Sequence, residues 1–183
     1  KNLKSLNKKE ICKLLGWDNK KKIITIYAHT FLDGNYVQGW RAFRDNFEWL
    51  KMTLDFAKNN KQYNYLIRTH PMDKFYTTNK IDSRKMVTSY CKNAGHMKLY
   101  PPNLSAGSSF EITDIGITSH GTASSEFIMF GKPCVSAGRT SWGDIVQNLK
   151  PITKYEYFQK LKNAYKLKPP SKLLQKKMFA YFF

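Results

Sequence analysis

Hydroxyl, imidazole and glycine residues follow a short apolar segment in the middle of the chain. Ile115 and Ile117 indicate a buried strand, and a glycine-containing turn and a short helix follow it. Because the start of a helix presents unbonded N–H groups, this turn could hold an anion such as a nucleotide phosphate. The same pattern also occurs as ordinary capping in α/β domains. The candidate ligands in this segment are Ser119, His120, Gly121, Thr122 (as N-cap), Ser124, Ser125 and Glu126.

Chemically active residues also follow the other predicted strands. The strand at residues 23–28 leads into a polar loop, and the strand at residues 63–68 ends in a His-Pro pair. In a parallel sheet these ends meet at one edge, so the side chains are predicted to converge there. Arginine and histidine can meet phosphate charge, and histidine can also donate a proton. The additional candidates are His29, Asp33, Arg68, His70 and Arg139.

The elements that position these residues alternate along the chain. Apolar stripes at helical spacing predict helices at residues 7–17, 39–59, 83–93, 105–110 and 122–130. A capping box at Thr153 and Glu156 starts another helix, and a last, basic helix begins after Ser171. Strand–helix alternation predicts an α/β fold with a doubly wound parallel sheet of about five strands and flanking helices.

The composition favours one domain with an anionic partner. The 183 residues are expected to form a single domain, 1–183, and the formal net charge is +18. Such a charge suits nucleic acid, a membrane surface or a phosphorylated substrate, and a merely solvated basic surface is the alternative. A nucleic-acid partner is disfavoured, since most aromatic residues lie on helical stripes that indicate core packing.

The cysteines and the apolar runs exclude other classes. Cys12, Cys91 and Cys134 form no CxxC or Cys/His spacing, so neither a disulfide framework nor a zinc site is predicted. A reduced, cytoplasmic setting fits this usage. No apolar run approaches the ~20 residues of a membrane span. The sequence contains no DxD-type carboxylate pair, which would indicate a metal bound to a sugar nucleotide. No metal or cofactor is therefore predicted.

An ordered set of motifs resembles a known group of enzymes. The motifs lie at residues 26–29 with Asp33, at residues 65–71 with the His-Pro pair, and at residues 114–133. In this order they resemble the bacterial glycosyltransferases of capsule and surface-polysaccharide biosynthesis. They are also similar to sialyl-, polysialyl- and Kdo transferases and to CDP-glycerol glycerophosphotransferases. The resemblance spans about residues 8–165 and implies the Rossmann-like, donor-binding C-terminal half of a GT-B fold.

The resemblance also implies roles for particular residues. His70 would contact the donor phosphate and assist the leaving nucleotide, Ser124 and Ser125 would bind the same phosphate, and Glu126 would contact the ribose or base. The donor substrate would be a CMP-, CDP- or UDP-activated sugar, and transfer would be inverting and metal-independent. A CDP-glycerol or CDP-ribitol phosphotransferase is the alternative enzyme, and a basic nucleic-acid-binding domain is the non-enzymatic one.

The acceptor side of such an enzyme has no counterpart in the sequence. These transferases carry the acceptor-activating carboxylate in an N-terminal domain. We expect no equivalent of that domain in this chain, so the isolated chain is expected to be inactive. Asp33 is the one loop carboxylate near the end of the first strand, and it is a weak candidate for the base. The expected acceptor is a saccharide or a lipid-linked molecule. The lysines at residues 20–22 and 172–177 are therefore expected to contact an anionic membrane surface, with the protein peripheral on its inner face.

Overall fold

Five strands form one parallel sheet in the computed structural model, which describes residues 5–32, 42–76, 82–140, 142 and 153–182. The strands lie in the order β3-β2-β1-β4-β5, and every pairing is parallel. The predicted α/β class with a five-stranded parallel sheet is confirmed. The strands are β1 (Ile23–Tyr27), β2 (Asn64–Arg68), β3 (Met97–Leu99), β4 (Ile115–Thr118) and β5 (Cys134–Ser136).

The helices have the caps that their sequences favour. Asn7 and Thr153 both form complete capping boxes, with Glu10 and Glu156 as their partners. Gly16 ends the first helix in the left-handed conformation, which glycine adopts without a steric cost. The helices are α1 (Lys8–Leu15), α2 (Asn46–Asn59), α3 (Asp73–Tyr76), α4 (Ser83–Lys92), α5 (Ala106–Ile112), α6 (Ala123–Met129), α7 (Lys154–Lys162) and α8 (Lys172–Phe182).

Both faces of the sheet are covered, because side chains alternate along each strand. On one face, Ile24 and Ile26 of β1 pack in a core with residues of α2, α4 and α7. On the other face, Ile23 packs with residues of α1 and α5, and Tyr27 packs with residues of α5, α6 and α8. This is the doubly wound arrangement, in which the connecting loops lie at the two ends of the strands.

Helix α2 begins later than its apolar spacing predicts. The expected start was residue 39, but residues 42–45 form bends and the helix starts at Asn46. Asp45 caps it by accepting a hydrogen bond from the N–H of Glu48 at 2.7 Å. Phe43 contributed to the predicted stripe and is buried against Tyr157, although it precedes the helix. Burial alone therefore did not require a helical backbone. Trp40 lies outside the described residues.

Helix α6 lies unusually close to β4. A Cβ atom built on Gly116 of β4 would lie 2.3 Å from the ring of Phe127 in α6, so only glycine fits there. The absence of a side chain at Gly116 therefore lets Phe127 pack directly against β4. The chain runs from β1 to β2 and β3 on one side and then to β4 and β5 on the other. The switch point is thus at the neighbouring strands β1 and β4. Open α/β sheets bind ligands in the crevice beyond the carboxyl ends of such strands.

No helix within the described ranges has both the length and the apolar character needed to cross a membrane.

Candidate functional site

A cavity of about 290 Å³ opens at the carboxyl edge of the sheet, where the loops after β1, β2 and β4 meet. Ala106 and Phe110 of α5 and Ala123 of α6 form its apolar walls. Six of the residues proposed from the sequence line it: His29, Arg68, His70, Gly121, Thr122 and Glu126.

His70 presents a defined hydrogen-bond donor. It lies in the loop after β2, and its Nδ1 accepts a hydrogen bond from the N–H of Met72 at 3.2 Å. An imidazole nitrogen that accepts an N–H bond carries no hydrogen itself, so the hydrogen of the neutral ring is on Nε2. The short turn that follows the strand therefore leaves Nε2–H as the group that can donate to a ligand.

Arg68 brings a permanent positive charge to the cavity wall. Its guanidinium carbon lies 5.2 Å from the ring centre of Tyr27 and 5.6 Å from that of Tyr100, as in cation–π contacts. These two rings limit the freedom of the side chain. Glu126 lies in the same cavity: burial raises the pKa of its carboxyl group, and the Arg68 guanidinium partly opposes that rise.

Three imidazole rings stack in sequence beside the cavity. The centroid of His29 lies 4.3 Å from that of His120 and 6.0 Å from that of His70, with interplanar angles of 26° and 20°. Gly121 makes this approach possible, because a Cβ atom there would lie 2.5 Å from Nε2 of His29. Stacked histidine rings therefore connect the loops after β1, β2 and β4.

A buried hydrogen-bond chain fixes the orientation of His120. Asn46 Nδ2 donates to the carbonyl of Thr30 at 3.0 Å, and Asn46 Oδ1 accepts from the hydroxyl of Ser119 at 2.9 Å. That hydroxyl has given up its single hydrogen, so it accepts from His120 Nδ1, 2.8 Å away. The neutral His120 ring thus carries its hydrogen on Nδ1. Ser119 and His120 are buried and support the cavity rather than line it.

Asn46 is a supporting residue that the sequence analysis missed. The periodic pattern placed it inside a long helix, where asparagine would be a surface residue. It is instead fully buried at the first position of α2. The signal that could have located it is Asp45, a good N-cap residue, which marks Asn46 as the helix start.

The hydroxyls of Ser124 and Ser125 are used within the turn. Ser124 Oγ donates to the carbonyl of Gly121 at 2.8 Å, and Ser125 Oγ donates to that of Thr122 at 2.7 Å. The indole N–H of Trp142 donates to Ser124 Oγ at 3.0 Å. Both serines are buried and outside the cavity lining. In this arrangement they hold the turn in shape and have no hydrogen left to donate to a phosphate.

Thr122 does not cap α6 as expected. Its backbone is already helical, with φ −56° and ψ −25°, and its side chain makes no capping hydrogen bond. An N-cap residue needs an extended backbone to place its side-chain oxygen near the first N–H groups of the helix, and Thr122 lacks this conformation. Its side chain is exposed at the cavity. Arg139 is exposed after β5 and is not part of the cavity lining. Asp33 lies outside the described residues.

Among the residues that the structure describes, no three His, Cys, Asp or Glu side chains are grouped closely enough to hold a metal ion together. The three cysteines are all unpaired thiols.

Solved structures that are similar to this chain share little sequence with it. It is similar to S. aureus MnaA solved with UDP, with 14% identity and a TM-score of 0.55, over 92% of this chain and 42% of that one. The fold is the Rossmann-like half of a GT-B architecture. The wall teichoic acid polymerase TagF matches with 16% identity and a TM-score of 0.50, over 95% of this chain and 41% of the polymerase.

A third similar structure is KpsC of Thermosulfurimonas dismutans, a beta Kdo 2,4 transferase, with 12% identity and a TM-score of 0.49, over 90% of this chain and 44% of that one. The chain thus spans less than half the length of each of these proteins. No protein-family model and no curated protein sequence matches it.

Proposed function

We propose that this chain binds the nucleotide of an activated sugar and forms the donor-binding part of an inverting, metal-independent glycosyltransferase of cell-surface polysaccharide synthesis. The observation that carries the proposal is the cavity at the β1/β4 switch point, which Arg68 and His70 both line. The GT-B-type fold supports it, and so does the similarity to MnaA, a protein whose structure was solved together with UDP.

The proposed chemistry depends on charge at the leaving group. When the bond from the sugar to the nucleotide breaks, negative charge develops on the phosphate oxygens. Arg68 supplies a fixed cation, and His70 supplies an N–H donor whose tautomer the N–H of Met72 selects. Glu126, in the same cavity, is proposed to contact the ribose or base. Ser124 and Ser125 act through the turn that they brace, and Asp33 stays a candidate for the acceptor base.

A second candidate function uses the same cavity. In a CDP-alditol phosphotransferase the acceptor attacks the β-phosphorus, and a nucleoside monophosphate leaves. The similarity to a wall teichoic acid polymerase favours this alternative. The two reactions differ in the bond that breaks: glycosyl transfer releases a nucleoside phosphate from a sugar carbon, whereas alditol transfer breaks a bond between phosphorus and oxygen. The new bond in the product would therefore distinguish them, since it is a glycosidic bond in the first case and a phosphodiester in the second.

Calorimetry with the 183-residue chain tests the proposed nucleotide site. UDP, CDP and CMP should each bind more tightly than uridine or cytidine, because Arg68 and His70 would contact phosphate. Equal affinity for a nucleotide and its nucleoside would overturn the proposal.

Two substitutions at His70 separate the contribution of its Nε2–H donor from that of the hydrogen bond between its Nδ1 and the N–H of Met72. His70→Asn places an amide where Nδ1 was, so it can accept from Met72 but has no group at the Nε2 position. His70→Gln places an amide N–H near that position. We expect His70→Asn to weaken nucleotide binding by about 1.5–3 kcal/mol, the scale of a hydrogen bond to a charged group, and His70→Gln to weaken it less. A loss of melting temperature with unchanged affinity would instead make His70 a structural residue.

A further inference from the structure

Helix α8 leaves large apolar side chains exposed. It packs on α6 through Met178, which is fully buried with Phe127. By contrast, Leu173, Phe179 and Tyr181 are 65%, 56% and 50% exposed. Three large apolar side chains exposed on one helix make it a candidate surface for contact with another phase or partner.

The same helix is strongly basic. No acidic residue follows Glu156, whereas seven lysines lie between residues 160 and 177. On α8 itself, Lys172, Lys176 and Lys177 are all exposed. At about 100° per residue, Lys172, Leu173 and Lys176 lie on the side of the helix opposite Met178. Lys177 and Phe179 lie on its two flanks, and Tyr181 lies nearer to Met178 on the flank of Lys177. The outward surface thus combines cationic heads with apolar and aromatic groups.

This surface ends close to the cavity. Near the start of α8, Gln175 lies beside the end of α6, since a Cβ atom on Gly131 would be 3.3 Å from its Nε2. At the other end, the ring of Phe182 lies 5.3 Å from that of Trp142, whose indole N–H donates to Ser124 in the first turn of α6. The two helices are therefore antiparallel, and α8 runs towards the carboxyl edge of the sheet, where the cavity opens.

We propose that the outward face of α8 binds an anionic lipid bilayer. The lysines meet lipid phosphates, while Leu173, Phe179 and Tyr181 enter the boundary between headgroups and acyl chains, as the apolar sides of interfacial helices do. Docking of a second copy on this face would bring like charges together, because every copy carries the same lysines. Nucleic acid would satisfy the lysines but would leave Leu173 without an apolar environment. The proposal does not depend on the nucleotide site.

Co-sedimentation with vesicles tests the charge requirement. The chain should bind vesicles of equal parts phosphatidylcholine and phosphatidylglycerol, bind phosphatidylcholine alone much less, and dissociate at high salt. The triple variant Lys172→Gln, Lys176→Gln, Lys177→Gln should lose about tenfold or more in affinity for the anionic vesicles, because each lysine near the surface contributes.

The matched control removes the same three charges from the opposite face of the sheet. Arg84, Lys85 and Lys92 are exposed on α4, which packs on the side of the sheet that α2 covers. The triple glutamine variant at these positions should bind anionic vesicles as the unaltered chain does, within about twofold. An equal loss in both triple variants would show diffuse attraction to the whole basic protein and would overturn the proposal.

A double substitution of exposed apolar residues distinguishes a lipid bilayer from nucleic acid or a second copy of the chain. Leu173→Ser with Tyr181→Ser should reduce vesicle binding while leaving binding to a single-stranded oligonucleotide unchanged. Both residues are exposed, so circular dichroism should show an intact fold. Unchanged vesicle binding by this double variant would contradict the proposal that α8 binds a bilayer. So would binding to the oligonucleotide that depends on the α8 lysines and is tighter than binding to the vesicles. So would a dimer in solution that the double variant dissociates.

Discussion

The imidazole rings of His29 and His120 lie nearly parallel, with their centroids 4.3 Å apart. One ring comes from the loop after β1 and the other from the loop after β4, so the contact bridges the switch point of the sheet. Two small residues beside His120 set the distance: Gly121 leaves room for His29, and Ser119 holds His120 in place.

Replacing Gly121 should disturb the cavity more than the core. A methyl group there would lie 2.5 Å from Nε2 of His29 and 3.2 Å from Oγ1 of Thr118. We expect Gly121→Ala to displace His29 and to weaken UDP binding severalfold, as measured by calorimetry. Gly107→Ala is the control, because its methyl group would meet no atom closer than Ser105 Oγ at 3.9 Å. Equal affinities of the two variants would contradict a role for the stack.

Removing the Ser119 hydroxyl should destabilise the protein. Ser119→Ala takes away the donor to Asn46 Oδ1 and the acceptor for His120 Nδ1, both buried. Each of these two buried hydrogen bonds contributes about 0.5–1.5 kcal/mol net, so the free energy of unfolding in urea should fall by about 1–3 kcal/mol. Ser89→Ala is the control, since its hydroxyl bonds the Met86 carbonyl on an exposed part of α4. A loss no greater than that of the control would show that the chain through Asn46 contributes little.

The contact between β4 and α6 should be sensitive to one added carbon atom. The methyl group of Gly116→Ala would lie 2.3–2.7 Å from ring atoms of Phe127, which is fully buried. Overpacking of a core typically costs about 1–3 kcal/mol, and the rigid strand gives little relief. Phe127→Leu should therefore cost less stability in the Gly116→Ala background than in the unaltered chain. Strictly additive losses in this double-mutant cycle would argue against the clash.

The stability of the fold should depend on the protonation of Glu126. Burial raises its folded-state pKa above the ordinary value of 4.5, so the folded chain holds this proton more tightly than the unfolded chain does. The stabilisation is complete below the ordinary pKa and is lost as pH rises through the raised value. Glu126→Gln should match the unaltered chain in acid and become relatively more stable as pH rises, in urea unfolding from acid to neutral pH.

Glu156 provides a comparison of opposite sign. The N–H and hydroxyl of Thr153 lower the pKa of Glu156, so its stabilisation is present above the ordinary pKa and lost as pH falls through the lowered value. Glu156→Gln should thus become relatively less stable as pH rises. The same trend in both variants would show that the difference at Glu126 does not come from its own carboxyl group.

Local patterns were sufficient to predict most elements and six of the residues that line the cavity. The segments at residues 23–28 and 63–68 formed β1 and β2 as predicted, and so did the capping box at Thr153. Because all parallel strands end at one edge, residues after different strands had to meet. For this reason His29, Arg68 and His70 could be grouped from sequence, and all of them line the cavity.

The sequence by itself determined which residue types reach the carboxyl edge, because strand periodicity and turn residues act within a few positions of each other. Only the tertiary structure decided what each polar group bonds. Ser119 and Asn46 are 73 positions apart and meet because α2 packs beneath the loop after β4. The hydroxyls of Ser124 and Ser125 found carbonyls of their own turn once Thr122 became helical. A hydrogen bond depends on distances of a few tenths of an ångström, which residue spacing along the chain does not specify.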